Sequence, residues 1–264
     1  MSRPWSEAGI PASEVISLDE AELGALLALL RSLDGPEWEL PTDCTLWTVR
    51  DICAHAVGLT DLILHPARWA GDLLASRREY PTMSRLDALN QLHVDRRARR
   101  SGPDLVADFG ALVPARLALR RRVPAWARWL PLPGGFSLPP GTLLGYLLDV
   151  ILIRDLWMHR VDISTATGRP LALDGHDRAI VHRVMADLAV VWDGPPGVVR
   201  LAGPAGGAWT VGGTDARSAD PRGTVECDAV EYMRCLAGRN DQPGLHLTGD
   251  PAVGGAALRA RVPF

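Results

Sequence analysis

Two stretches of this chain place ionisable side chains where core residues are expected. In "LLDVILIRDLWMHRVDIS", residues 147–164, Asp155 and His159 fall one helical turn apart, about 40° from each other around the axis. Leu148, Ile151, Leu152 and Met158 share their face, and Asp162 lies on it as well. In "TVRDICAHAVGLTDLI", His55 sits on the stripe of Ile52, Leu59 and Leu62. A carboxylate among apolar side chains must be paired, protonated or bound to a cation, because leaving it bare costs several kcal/mol. An i,i+4 Asp–His pair could satisfy itself, and one inward histidine could be a hydrogen-bonded core residue. Two helices that each turn such groups inward are a different matter, since helical bundles build metal sites from inward His and carboxylate residues. One histidine from one helix and an Asp/His pair from another make three N/O donors. That set leaves coordination positions open, as a catalytic divalent site requires.

The elements that must position these residues are mostly helical. "SLDEAELGALLALLRSLDG" (17–35) has helical periodicity, with acidic residues read as its first turn and Gly35 past its end. Thr48 followed by Asp51 predicts a capping-box start for the His55 helix, and Pro66 follows its far end. Further helices are predicted over roughly 84–100 and 103–122. Residues 123–141, rich in proline, glycine and aromatics, predict a long connection in which Trp126, Trp129 and Phe136 form a lid, a substrate wall or a loop anchor. The Asp155 helix ends near Gly168. Beyond it, after one more helical stretch, "GVVRLAG", "GAWTVGG", "GTVECD" and "GLHLTG" are short strand candidates between glycine-rich turns. The division expected is an all-helical domain, residues 1–172, and a small α+β domain, residues 173–264.

Composition narrows the chemistry. All 28 basic residues are arginine, so Schiff-base catalysis and a Walker-A phosphate loop, which both need lysine, are excluded. A net charge of −3 offers no general attraction to nucleic acid or to an anionic membrane. No apolar run predicts a signal segment or a transmembrane span, and the four cysteines form no CxxC pair. Together these features predict a cytoplasmic protein with reduced thiols, a monomer or homodimer.

"LWTVRDICAHAVG" and "RDLWMHRVDISTATGRP" resemble the two signature segments of the mycothiol-dependent maleylpyruvate isomerase family, within the DinB-like superfamily. The first is similar to "GWTVRDVVAHL", the second to E/D-x-x-x-H-x-x-D-x-x-x-A-x-G-R. The likeness extends over nearly the whole chain, more loosely over 60–140 and after 175, where "LAGR…LTGDPA" is similar to the family's closing pattern. The resemblance implies an up-down-down-up four-helix bundle followed by a small C-terminal domain, sterol-carrier-like in character. It implies a divalent metal, zinc foremost with nickel, iron or manganese as alternatives, held by His55, Asp155 and His159. Asp155 departs from the glutamate of the best-known isomerases, and the shorter side chain puts metal and reaction in question. Asp162 is the expected partner of a histidine ring nitrogen, or a residue that orients the helix, with a water-exposed or helix-capping role as the alternative.

The resemblance also implies mycothiol as co-substrate, with S-transfer or thiol-assisted isomerisation of a small electrophile. A sugar-rich thiol calls for arginine and amide groups, and the candidates are Asn90, His93 and Arg97 on one helix, the walls Trp126 and Trp129, and Arg239 as a catalytic arginine from the small domain. Two alternatives stand beside this reading. One is a thiol-independent metalloenzyme of the same fold, a hydrolase, lyase or cyclase of secondary metabolism. The other is a non-catalytic small-molecule-binding protein.

Overall fold

Four long helices share an apolar interior because each carries a stripe of aliphatic residues at helical spacing. In the computed structural model, which describes residues 12–44, 46–132, 142–212 and 220–264, these are α1 (Ala12–Arg31), α2 (Val49–Leu64), α5 (Gly102–Arg122) and α7 (Leu152–Thr167). Leu23, Leu26 and Leu30 of α1, Ile52, Cys53 and Ala56 of α2, Leu105 and Phe109 of α5, and Leu156 and Ile163 of α7 form one buried cluster. Each large aliphatic or aromatic residue buried there contributes about 1.5–3 kcal/mol.

The directions of the helices follow from who meets whom. Asp19 of α1 meets Arg116 and Arg120 of α5, while Gly110 faces Leu27 and Arg31, so α1 and α5 are antiparallel. Arg116 also bonds Thr60, and Cys53 lies near Asp108, so α2 and α5 are parallel. His55 meets Asp155, Trp47 lies beside His159, and Arg116 reaches the Leu152 carbonyl, so α7 runs against α2. The order is up-down-down-up.

α1 begins at Ala12, several residues before the expected start. Asp19 and Glu22 are therefore not first-turn acids. They are fully buried mid-helix groups, Asp19 paired with two arginines and Glu22 with Arg160 of α7 at 2.8 Å. α2 starts as its capping box predicts, with Thr48 and Asp51 bonding reciprocally. The helix expected over 84–100 is α4 (Arg85–Asp95) and stops short, leaving Arg97 in the turn that follows. Before it comes α3 (Trp69–Glu79), a helix not foreseen, because only Ser76 of it is buried and no apolar stripe marks it. The rod bearing Asp155 starts with a short turn, α6 (Leu144–Tyr146), and a π-helical turn, Leu147–Ile151, whose Asp149 is held by Arg120 at 3.0 Å and by Arg128. Gly168 caps α7 in the left-handed conformation at φ 67°. Arg169 then bonds Glu37 and Asp34, so the "GR" of the signature anchors the helix end.

The chain divides near residue 172 into two compact units. The second begins with α8 (Gly175–Val191), followed by β1 (Gly197–Ala202), β2 (Gly207–Val211), β3 (Gly223–Asp228), α9 (Ala229–Leu236), β4 (His246–Gly249) and α10 (Pro251–Arg259). The sheet order is β2-β1-β3-β4, antiparallel at both edges and parallel between β1 and β3. Val199, Val225, Tyr232, Met233 and Val253 are among its fully buried residues. Among the described residues no helix is long and apolar enough to cross a membrane.

Candidate metal centre

The i,i+4 spacing on α7 and the antiparallel run of α2 bring three side chains to one point. Asp155 lies between two imidazoles, with Oδ2 3.3 Å from His55 Nε2 and Oδ1 3.5 Å from His159 Nε2. The rings meet edge to face at 5.1 Å between centroids. One donor atom from each of the three lies within 4.8 Å of the others. Donors around a tetrahedral ion at about 2.1 Å stand about 3.4 Å apart, so the spacing and the N, N, O character of the set fit a divalent cation. Both histidine side chains are nearly inaccessible, whereas that of Asp155 keeps 19% exposure. Approach is therefore from the carboxylate side.

The two histidines are held differently. Nδ1 of His159 lies 3.3 Å from the fully buried carboxylate of Asp162, which fixes the ring and leaves Nε2 toward Asp155. Nδ1 of His55 is buried with no hydrogen-bond partner among the described residues. That ring is held by packing, with Trp47 4.9 Å away at 31°. Trp47 also lies 5.9 Å from His159 and donates its indole N–H to Gln91 at 3.0 Å. Trp47 walls the site, and reasoning from sequence missed it. The signal was its place directly before the Thr48 cap, one residue outside the periodic helix and inside the first signature segment.

Substituting Asp162→Asn is expected to weaken metal binding by about 10–100-fold while the helical fold is retained, as loss of an outer hydrogen-bond partner does in metal sites generally. Equilibrium competition with a chromophoric chelator measures it.

The charges are strongly coupled. Burial opposes ionisation of Asp155, but His159 and His55 outweigh it and hold the carboxyl well below the ordinary range. Burial likewise opposes charge on His159, yet Asp155 beside it, with hydrogen bonds to Asp155 and Asp162, pushes its pKa up to about 9. Raised above its unfolded value, this group stabilises the metal-free fold below about pH 6.5, a contribution lost as the pH rises through about 9. A cation must displace that proton. Metal affinity should therefore climb about tenfold per pH unit from 7 toward 9; calorimetry in buffers of different ionisation enthalpy should show about one proton released per ion at pH 7.

The remaining expected residues are scattered. His93, buried on α4, and Arg97 line a cavity with Gly58, while the half-buried Asn90 does not. Trp126 and Trp129 lie in the 3-10 turn Ala125–Trp129 and are largely exposed; Phe136 falls outside the described residues. Arg239 belongs to the second unit, where its backbone N–H bonds the Arg234 carbonyl just beyond α9. The protein's own thiols are poor nucleophiles. Burial pushes Cys53 up to about 12 and Cys227 up to about 11, and raises Cys235.

Residues 20–164, which hold all three donors, match the family model described as "Mycothiol maleylpyruvate isomerase N-terminal domain". The chain belongs to this family. Among solved structures, the crystal structure of the mycothiol-dependent maleylpyruvate isomerase aligns with a TM-score of 0.60 and 16% identity, covering 95% of this chain and 97% of that one. A histidine-to-alanine mutant of the mycothiol-dependent maleylpyruvate isomerase aligns with a TM-score of 0.57 and the same identity and coverage. At that identity the likeness to the isomerase speaks for a shared fold. No curated protein matches the sequence.

Proposed function

We propose that this protein is a divalent-metal-dependent enzyme that activates a low-molecular-weight thiol, mycothiol, for attack on a small electrophilic metabolite. The observation that carries this reading is the convergence of His55, Asp155 and His159 around one partly exposed carboxylate. A bound divalent ion, with zinc the first choice for this N, N, O set, supplies positive charge that favours a thiolate over a thiol at neutral pH. The chain's own residues prepare the place. Asp162 keeps the His159 ring in register, and Trp47 covers both imidazoles so that water is excluded from that flank. The exposed edge of Asp155 leaves one side for thiol and electrophile to enter. Added to a conjugated alkene and then eliminated, the sulfur allows rotation about the former double bond and returns unchanged; where it displaces a leaving group it is consumed. Membership of the isomerase family favours the first course. Asn90, Trp126 and Trp129 are the residues of the helical unit proposed to contact thiol and substrate.

The test is turnover of maleylpyruvate and of simple electrophiles with and without mycothiol. Isomerisation or thiol loss that depends on mycothiol supports the reading. Turnover that proceeds equally with no thiol would overturn it in favour of a thiol-independent metalloenzyme, the reading that Asp155 in place of glutamate supports.

A further inference from the structure

Between α2 and the α3–α4 hairpin lies a cavity of about 340 Å³, and neither histidine of the metal centre nor Asp155 lines it. Four guanidinium groups border it, those of Arg68, Arg96, Arg97 and Arg100, against three carboxylates. Those carboxylates are already engaged. One oxygen of Asp61 faces both Arg68 at 3.2 Å and Arg97 at 3.5 Å, and its other oxygen meets His65 at 3.0 Å. Asp72 holds Arg96 at 2.7 Å, and Asp108 holds Arg100 through both oxygens at 2.8 Å.

The surplus positive charge falls on Arg97. Its carboxylate contact is the longest of the four, and among the described residues its one hydrogen bond goes to the His93 carbonyl at 3.1 Å, so most of its five donors remain for a ligand. Its side chain is only 19% exposed, and burial pulls its pKa down although the carboxylates of Asp61, Asp108 and Asp72 push it up. Gly58 makes room for it: a Cβ there would stand 2.5 Å from that of His93 and 3.0 Å from the Arg97 guanidinium. His93 adds no charge of its own. Burial, with His55 and Arg97 nearby, lowers its pKa to about 4. Its side chain is buried, and its Nε2 faces Asp72 at 3.6 Å.

We propose that this cavity binds a small anion, a carboxylate or phosphate ester, in the planar fork of Arg97. A guanidinium recognises both oxyanions through paired hydrogen bonds. The inference gives Arg97 a role other than the thiol contact expected from the sequence, and it involves none of the metal-centre residues.

The test is calorimetric titration of the metal-loaded full-length chain at low ionic strength with inorganic phosphate and, separately, with succinate. Saturable binding of at least one is expected, and the preferred probe tells a phosphate ester from a carboxylate metabolite. Arg97→Gln should weaken it by about tenfold or more with bound metal unchanged. Arg68→Gln, at an exposed position and therefore safe for folding, should weaken it by about threefold and decides the matter if the Arg97 variant does not fold. Binding should persist in the His55→Ala variant, which separates this cavity from an anion seated on the metal. The proposal falls if neither anion saturates below about 10 mM, if the arginine variants bind like the parent, or if binding disappears with His55.

Discussion

Protein carrying His55→Ala or His159→Ala is expected to emerge from chelator-free purification without its divalent ion, with its helical circular dichroism essentially unchanged. Each imidazole is one of the three donors that lie within 4.8 Å of one another among the described residues, so its removal should cost more than the about 10–100-fold that an outer partner is worth. The helices survive because their packing resides in Leu23, Ile52, Phe109, Leu156 and their neighbours, not in the site. The two variants should nonetheless differ. Without His159, Asp155 loses its strongest favourable neighbour and Asp162 loses the ring it holds. Without His55, Asp155 loses the weaker of its two imidazole neighbours, and the other nitrogen of that ring has no partner among the described residues to leave behind. The metal-free His159→Ala protein should therefore be the less stable of the pair by urea unfolding. Elemental analysis showing full metal content in both variants would refute the donor assignment.

The second large effect lies at Asp19. Its fully buried carboxylate joins Arg116 at 2.8 Å and Arg120 at 2.6 Å, and Arg120 continues to Asp149 on the π-helical turn. Such networks add little over a well-packed apolar equivalent, but breaking one partner leaves uncompensated buried charge. Asp19→Asn should lower the free energy of unfolding by about 3–5 kcal/mol. Because Asp149 and the turn leading into α7 belong to the same network, metal affinity should fall as well. A loss below about 1 kcal/mol, measured by urea denaturation of the metal-free protein, would mean that water or other groups replace the carboxylate.

These two predictions mark what could be read in advance and what could not. His55, Asp155 and His159 were legible because each breaks an apolar stripe at a place where burial is costly. The start of α2 was legible because capping is local chemistry between Thr48 and Asp51. The four strands were legible as short segments set between glycine-rich turns. Asp19 and Glu22 were not, since acids early in a helix suit the macrodipole equally well, and only the partner helices show them to be buried. α3 escaped because it buries almost nothing. The π-helical turn escaped because one extra residue per turn leaves little trace in a segment that is apolar but for Asp149. Trp47 and the arginine-lined cavity depend on how α4 lies against α2, which rests on the absence of a side chain at Gly58; spacing along one helix does not reveal that.

X-ray absorption at the edge of whichever metal co-purifies, on tag-free protein, reads the ligand shell itself. The expected spectrum has two imidazole nitrogens and light oxygen donors at about 2.0–2.2 Å, simplified to a single imidazole in His159→Ala protein forced to load with excess ion. A sulfur shell at about 2.3 Å in thiol-free protein, or no metal bound at all, would contradict it.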